Sequence, residues 1–113
     1  MTNYERGNII LVRFPFSDQT TTKKRPAVVI SSDGYNENSP DIIIMAITSR
    51  TEQTFNIGEC FIENWQNAGL LRPSTMKPAI STIEKSLIFK KLGRLSLRDL
   101  TSMDKVLRKL INL

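Results

Sequence analysis

A small, mainly β barrel carrying one C-terminal α-helix is the fold class this sequence predicts, and three observations predict it. Short apolar, β-branched runs recur along the chain, among them "NIILVRF", "PAVVIS", "DIIIMAIT" and "GECFI". The stretches between them collect Gly, Asn, Asp, Ser and Pro, the residues that make turns. A clear 3.6-residue apolar period appears at the end of the chain, over 96–113.

The first strand is read over 7–16, starting after Gly7 and stopping at Pro15. Residues 17–24, "SDQTTTKK", are polar and unpatterned and read as a loop. The second strand, "RPAVVIS" at 25–31, contains Pro26, which can open a strand or sit at an edge but cannot donate a ladder bond. Residues 32–40 read as a connection. "DIIIMAITS" at 41–49 is apolar on both faces at its centre, the pattern of a strand buried on both sides. A polar loop follows, then a strand at 55–62 with Gly58 at a bulge.

"ENWQNAGLL" at 63–71 reads as a single helical turn ending at Gly69, with Trp65 packing in the core or against a second subunit. Residues 74–85 read as two short extended pieces around Pro78, and 86–95 as a short strand or an irregular arm. In the terminal helix, Ser96 and Asp99 resemble a capping box with Asp in place of the usual Glu. Leu97, Leu100, Met103, Leu107 and Leu110 share one face, while Arg98, Lys105, Arg108 and Lys109 lie off it, a stripe suited to core or dimer packing. One domain over 1–113 is expected.

Composition narrows the chemistry. At 113 residues a single core can bury about two-thirds of the unfolded surface without disulfides or metal. The single cysteine, Cys60, cannot close an intramolecular disulfide, which fits a reducing cytoplasm. No apolar signal core or membrane span is legible, so no membrane role is expected. The chain has no histidine, which removes the usual general base, His-dependent triads and most zinc sites; no metal and no cofactor are expected. The net charge of +5 is uneven. Residues 1–71 hold six Lys and Arg against eight Asp and Glu, a net of −2, whereas residues 72–113 hold ten against three, a net of +7. A basic half suits RNA, DNA or an acidic protein segment, and equally a solubilising surface.

Two strand ends stand out. Arg25 lies at the start of the second strand, behind Lys23 and Lys24, and Thr48 lies at the end of the third, followed by Ser49 and Arg50. If these strands are antiparallel neighbours, guanidinium and hydroxyl converge on one rim, with the 17–24 loop above as a mobile flap. An arginine fork matches phosphate oxygens bidentately. The ordinary alternatives are a solvated basic loop end and a threonine that satisfies its own backbone. Phe16 and Tyr35 are candidates to stack on bases, with packing as the alternative for each.

Taken in order, "GNIILVRFPFSD", "KKRPAVVIS", "DIIIMAITSR" and "AGLLRPSTMK…STIEKSLIFKKLGRLS" resemble the MazF/PemK family of toxins from type II toxin–antitoxin pairs, over nearly the whole chain. The resemblance implies an SH3-like barrel of the CcdB/PemK kind and a homodimer. It also implies a metal-independent, sequence-specific endoribonuclease that cuts single-stranded messenger RNA and stops growth. Its other implied partner is a cognate antitoxin whose flexible acidic tail blocks the RNA site. By that resemblance Arg25 and Thr48 are the catalytic positions. Lys23, Lys24, Ser49, Arg50, Lys77 and Phe16 are the candidate RNA contacts. Where some relatives carry an Arg and an Asp before "TIEK", this chain has Met76 and Pro78, so those two roles are not transferred.

The reaction implied is attack by a ribose 2′-OH on the adjacent phosphorus, leaving a 2′,3′-cyclic phosphate and a 5′-OH. Arg25 suits the electrostatic or acid role, because a guanidinium stays protonated and offers only donors. Two readings compete with it: a gyrase-poisoning toxin on the same barrel, and an RNA-binding barrel without catalysis.

Overall fold

The computed structural model describes residues 3–14, 23–51 and 57–113. Within them lie strands β1 (Asn8–Phe14), β2 (Lys23–Val29), β3 (Asp41–Thr48), β4 (Cys60–Phe61), β5 (Thr75–Glu84) and β6 (Ile88–Arg94). Helix α1 (Asp33–Asn38) joins β2 to β3, a 3-10 turn (Lys85–Leu87) joins β5 to β6, and α2 (Leu97–Ile111) follows β6. All the strand pairs are antiparallel, in one sheet of order β4-β5-β3-β2-β1-β6. Among the described residues the edge strands β4 and β6 are not hydrogen-bonded to each other, so the mainly β architecture holds but the sheet stays open.

Alternation along the strands explains why the sheet is apolar on both faces. Ile9, Val28, Met45 and Ile47 join one buried cluster, while Ile10, Val12, Ala27, Val29, Ile42 and Ile44 join another. The third strand is therefore buried on both sides, as its composition predicts. Met103 and Leu107 of α2 cover the first cluster; Tyr4, Leu87 and Ile88 pack against the second. Fully burying a side chain of this size contributes roughly 1.5–3 kcal/mol. Trp65 packs against the first cluster, in keeping with a core role.

Several expectations need correction. The 32–40 connection contains α1: Ser32 caps it by accepting from the Tyr35 N–H at 3.2 Å, with Asp33 in its first turn. A six-residue helix shows no apolar period; it is held by Asn36, which is buried and donates from Nδ2 to the Tyr4 and Ser31 carbonyls. The strand expected over 55–62 is only Cys60–Phe61 within the described residues. The two pieces around Pro78 are one strand, β5, with a local irregularity. Met45 pairs with Ile80 and Ile47 with Met76, so the stretch around Pro78, which has no N–H, falls out of register.

Leu97 is 79% exposed, not part of the buried stripe. With 3.6 residues per turn it lies about 80–120° round the helix from Leu107 and Met103. The capping box is also incomplete. Ser96 Oγ accepts from the Asp99 N–H at 3.2 Å, but the Asp99 carboxylate, 3.2 Å from the Ser96 hydroxyl, accepts the N–H groups of Glu63 at 2.9 Å and Asn64 at 2.8 Å. Asp99 is fully buried and ties α2 to the 63–71 segment.

Candidate functional site

The β2–β3 ladder stops early, and a cleft opens where it stops. Its pairs are Ala27–Ala46, Val28–Met45 and Val29–Ile44. The next residue of β2 is Pro26, which lacks the N–H needed to carry the ladder on. On its other side β2 continues against β1 down to Lys23. So the strand begins at Lys23, two residues before the expected start at Arg25, and its pairing with β3 begins at Ala27. Continued by two residues, the register sets Arg25 across from Thr48, the antiparallel convergence the sequence suggests.

The cleft has a volume of about 600 Å³. Arg25, Pro26, Ile47, Thr48, Ser49 and Arg50 line it from β2, β3 and the residues after β3; Leu11, Lys90 and Leu92 line it from β1 and β6. Its remaining wall is Gly69–Arg72 with Ser74. Residues of both strand parities contribute, so the cleft wraps round the splayed end of the β2–β3 pair.

The far wall is fixed by backbone contact. Asn64, Gln66 and Trp65 carbonyls accept from the N–H groups of Ala68, Gly69 and Leu70, the expected single turn, and Gly69 takes φ +88. A Cβ on Gly69 would stand 2.2 Å from the Leu92 carbonyl oxygen, and one on Gly93 would stand 2.3 Å from that of Ala68. This approach brings the turn against β6 across the open side of the sheet. Asp99 holds the start of the same segment.

Arg25 is exposed and enters no ion pair among the described residues. Thr48 is half-buried, and its Oγ1 accepts the Arg50 N–H at 3.1 Å. The hydroxyl thus satisfies local backbone, as the ordinary reading of a strand-end threonine holds, and its own proton remains available to donate. Four cations, Arg25, Arg50, Arg72 and Lys90, line the cleft without a carboxylate among its described lining residues. That environment favours a polyanion.

Four of the eight predicted site residues meet here: Arg25, Thr48, Ser49 and Arg50. Lys23 is exposed at the start of β2 outside the cleft lining, and Lys24 lies with its Nζ 3.7 Å from the centroid of the Phe89 ring. Lys77 is exposed on β5, away from the cleft lining, and Tyr35 is exposed on α1. Phe16 and residues 17–22 of the expected flap lie outside the described residues, whereas Lys23 and Lys24, read as the end of that loop, belong to β2. Sequence reasoning missed Arg72 and Lys90. The turn signal at Gly69 placed Arg72 just after a reversal, but only the Gly69–Gly93 contact and the Leu11–Lys90 pairing show that both face the cleft.

A family model described as the PemK-like, MazF-like toxin of type II toxin–antitoxin systems matches residues 5–111. No curated protein matches the chain. Among solved structures, MazF from Deinococcus radiodurans is 18% identical with a TM-score of 0.77, and the match covers 100% of both chains. A MazE–MazF structure from the same organism gives 16% identity and a TM-score of 0.78, covering 99% of each chain. A mycobacterial endoribonuclease in complex with its cognate antitoxin gives 14% and 0.76, covering 100% of this chain and 97% of that one. At such identities these likenesses show the fold.

Proposed function

The chain belongs to the PemK-like, MazF-like toxin family of type II toxin–antitoxin systems, and from that premise we propose that it is an endoribonuclease whose site is the cleft at the splayed end of β2 and β3. The observation that carries this reading is the meeting of Arg25 and Thr48 in a cleft lined by three further cations and no carboxylate among its described residues. A cleft of this kind attracts a phosphate chain, and its two strand-end groups can act on one phosphate of it.

In the proposed reaction a ribose 2′-oxygen attacks the adjacent phosphorus and the P–O5′ bond breaks. The products are a 2′,3′-cyclic phosphate and a 5′-OH. The nucleophile belongs to the RNA, so DNA is not cut. Arg25 bonds the non-bridging oxygens and offsets the charge that grows on them, an effect worth about 3 kcal/mol for a well-placed donor. Thr48, its lone pair held by the Arg50 N–H, donates a hydrogen bond from its hydroxyl to the same phosphate. Arginine, lysine and hydroxyl side chains are not ordinarily bases near neutral pH. Acceleration therefore rests on positioning and charge stabilisation rather than on a strong general base.

In a family of type II toxins, this activity would belong to the toxin of a toxin–antitoxin pair. The proposed protein partners are a second copy and a cognate antitoxin whose acidic tail competes with RNA for the cations of the cleft. Cutting messenger RNA in the cytoplasm would halt translation and growth. No helix among the described residues is long and apolar enough to cross a membrane.

The test is incubation of the purified protein with a long single-stranded RNA in EDTA, beside Arg25→Ala, with 5′ ends mapped. Discrete cuts that the variant loses support the reading. Intact RNA from a folded preparation sinks it and turns attention to a gyrase-poisoning or binding-only role.

A further inference from the structure

A second basic feature adjoins the cleft. Strand β6 pairs Lys90 with Leu11 and Ile88 with Val12, which leaves Phe89 as an extra residue in a β-bulge. Bulges re-aim side chains. Here the Phe89 ring comes to lie beneath two cations, with Lys24 Nζ 3.7 Å and Arg13 Cζ 5.2 Å from its centroid. Phe89 remains 44% exposed.

Register connects this group to the cleft. Leu11 and Pro26 are paired and both line the cleft; Arg13 and Lys24 are the pair two residues further along the same strands. Two residues along a strand keep the same face and advance about 6.6 Å. Lys90, beside Phe89 in the chain, is itself a cleft residue. Neither Arg13 nor Lys24 has an ion-pair partner among the described residues.

We propose that Phe89, Arg13 and Lys24 form an accessory nucleotide subsite continuous with the cleft, which takes one phosphate and the adjoining base of a single-stranded RNA. It rests on the ribonuclease reading above. The ring holds a lysine that would otherwise sweep through solvent, so less side-chain freedom is lost when a phosphate arrives. The exposed part of the ring offers a base an apolar platform that does not depend on sequence. Phe89 is a positioning residue for Lys24 as well as a contact, and the subsite contributes to binding rather than to bond breaking.

The test uses fluorescein-labelled 2′-O-methyl oligonucleotides of mixed sequence, about four and about ten nucleotides long, which bind without being cut. Wild type is expected to bind the longer probe at least tenfold more tightly. Phe89→Ala should remove about tenfold from the longer probe and leave the shorter unchanged. Lys24→Ala should do likewise, and the double variant should lose little more than either alone. On cleavable RNA, Phe89→Ala should raise KM and leave kcat unchanged. Thermal melts check that the variants fold, and light scattering checks their oligomeric state.

Equal binding of both probes by wild type and Phe89→Ala, with RNA still cut, overturns the subsite and leaves the ribonuclease reading intact. Loss of dimerisation in Phe89→Ala with RNA affinity unchanged also overturns it and makes the patch a subunit interface. Failure of wild type to bind either probe or to cut RNA brings down both.

Discussion

Asp99 gives the sharpest stability prediction, because its carboxylate is fully buried and bonds across two elements. It accepts the Glu63 N–H at 2.9 Å and the Asn64 N–H at 2.8 Å, and its own N–H donates to Ser96 Oγ. Asp99→Ala leaves two backbone donors facing a void. A hydrogen bond to a charged group is worth about 1.5–3 kcal/mol, so losing two should cost about 3–6 kcal/mol. Unfolding entropy near 2.1 cal/mol/K per residue gives roughly 0.24 kcal/mol/K for a chain of 113 residues. The Tm should therefore fall by about 13–25 °C. Asp99→Asn should not rescue it, because the amide nitrogen would set a donor against one of the two N–H groups. Circular dichroism melts on the three proteins measure this. A fall of less than about 4 °C in the alanine variant would refute the view that Asp99 holds the cleft wall to α2.

Three more outcomes follow from the same geometry. Gly93→Ala should cost about 2 kcal/mol or more and lower RNA cleavage, because a Cβ there meets the Ala68 carbonyl oxygen at 2.3 Å and pushes the wall aside; urea titration and an RNA-cutting assay would read both. Arg72→Ala and Lys90→Ala should each weaken RNA binding while reducing the slope of log affinity against log salt by about 0.7, the mark of one lost phosphate contact, which binding titrations across salt would show. Burial, then the Asp99 and Glu63 carboxylates, push the Cys60 thiol above the ordinary cysteine value. A group raised on folding contributes stability that is complete below its unfolded pKa, about 8.5, and lost as pH rises past it. Wild type should therefore lose more stability than Cys60→Ala between about pH 8 and pH 10 in parallel melts, and equal losses would contradict this.

The sequence showed most clearly what depends on neighbours along the chain. An unbroken apolar centre exposed the two-sided burial of β3, Pro26 interrupted the pairing of β2 with β3, and the Ser96 cap located the start of α2. The same local logic put Arg25 and Thr48 on one rim, since antiparallel pairing of two consecutive strands suffices for that. What stayed hidden needed contacts distant in sequence. Asp99 looked like half of a capping box because its true partners, the Glu63 and Asn64 N–H groups, lie 36 and 35 residues away. Arg72 and Lys90 became cleft residues only through the backbone approach of Gly69 to Gly93. Phe89 owes its direction to a bulge, which is a mismatch between two strands and leaves no mark in either alone. The helix α1 was lost for a different reason: six residues are too few to show a period.

The most direct measurement uses an RNA oligonucleotide carrying a mapped cleavage site, beside the same molecule with a single 2′-deoxyribose on the 5′ side of the scissile phosphate. The chemistry assigned to Arg25 and Thr48 requires that hydroxyl, because the cleft lends charge and position while the nucleophile comes from the RNA. The deoxy-substituted strand should bind with nearly unchanged affinity and stay whole, while the parent is cut to a 2′,3′-cyclic phosphate. Cleavage of the deoxy-substituted strand at the same bond would contradict the mechanism.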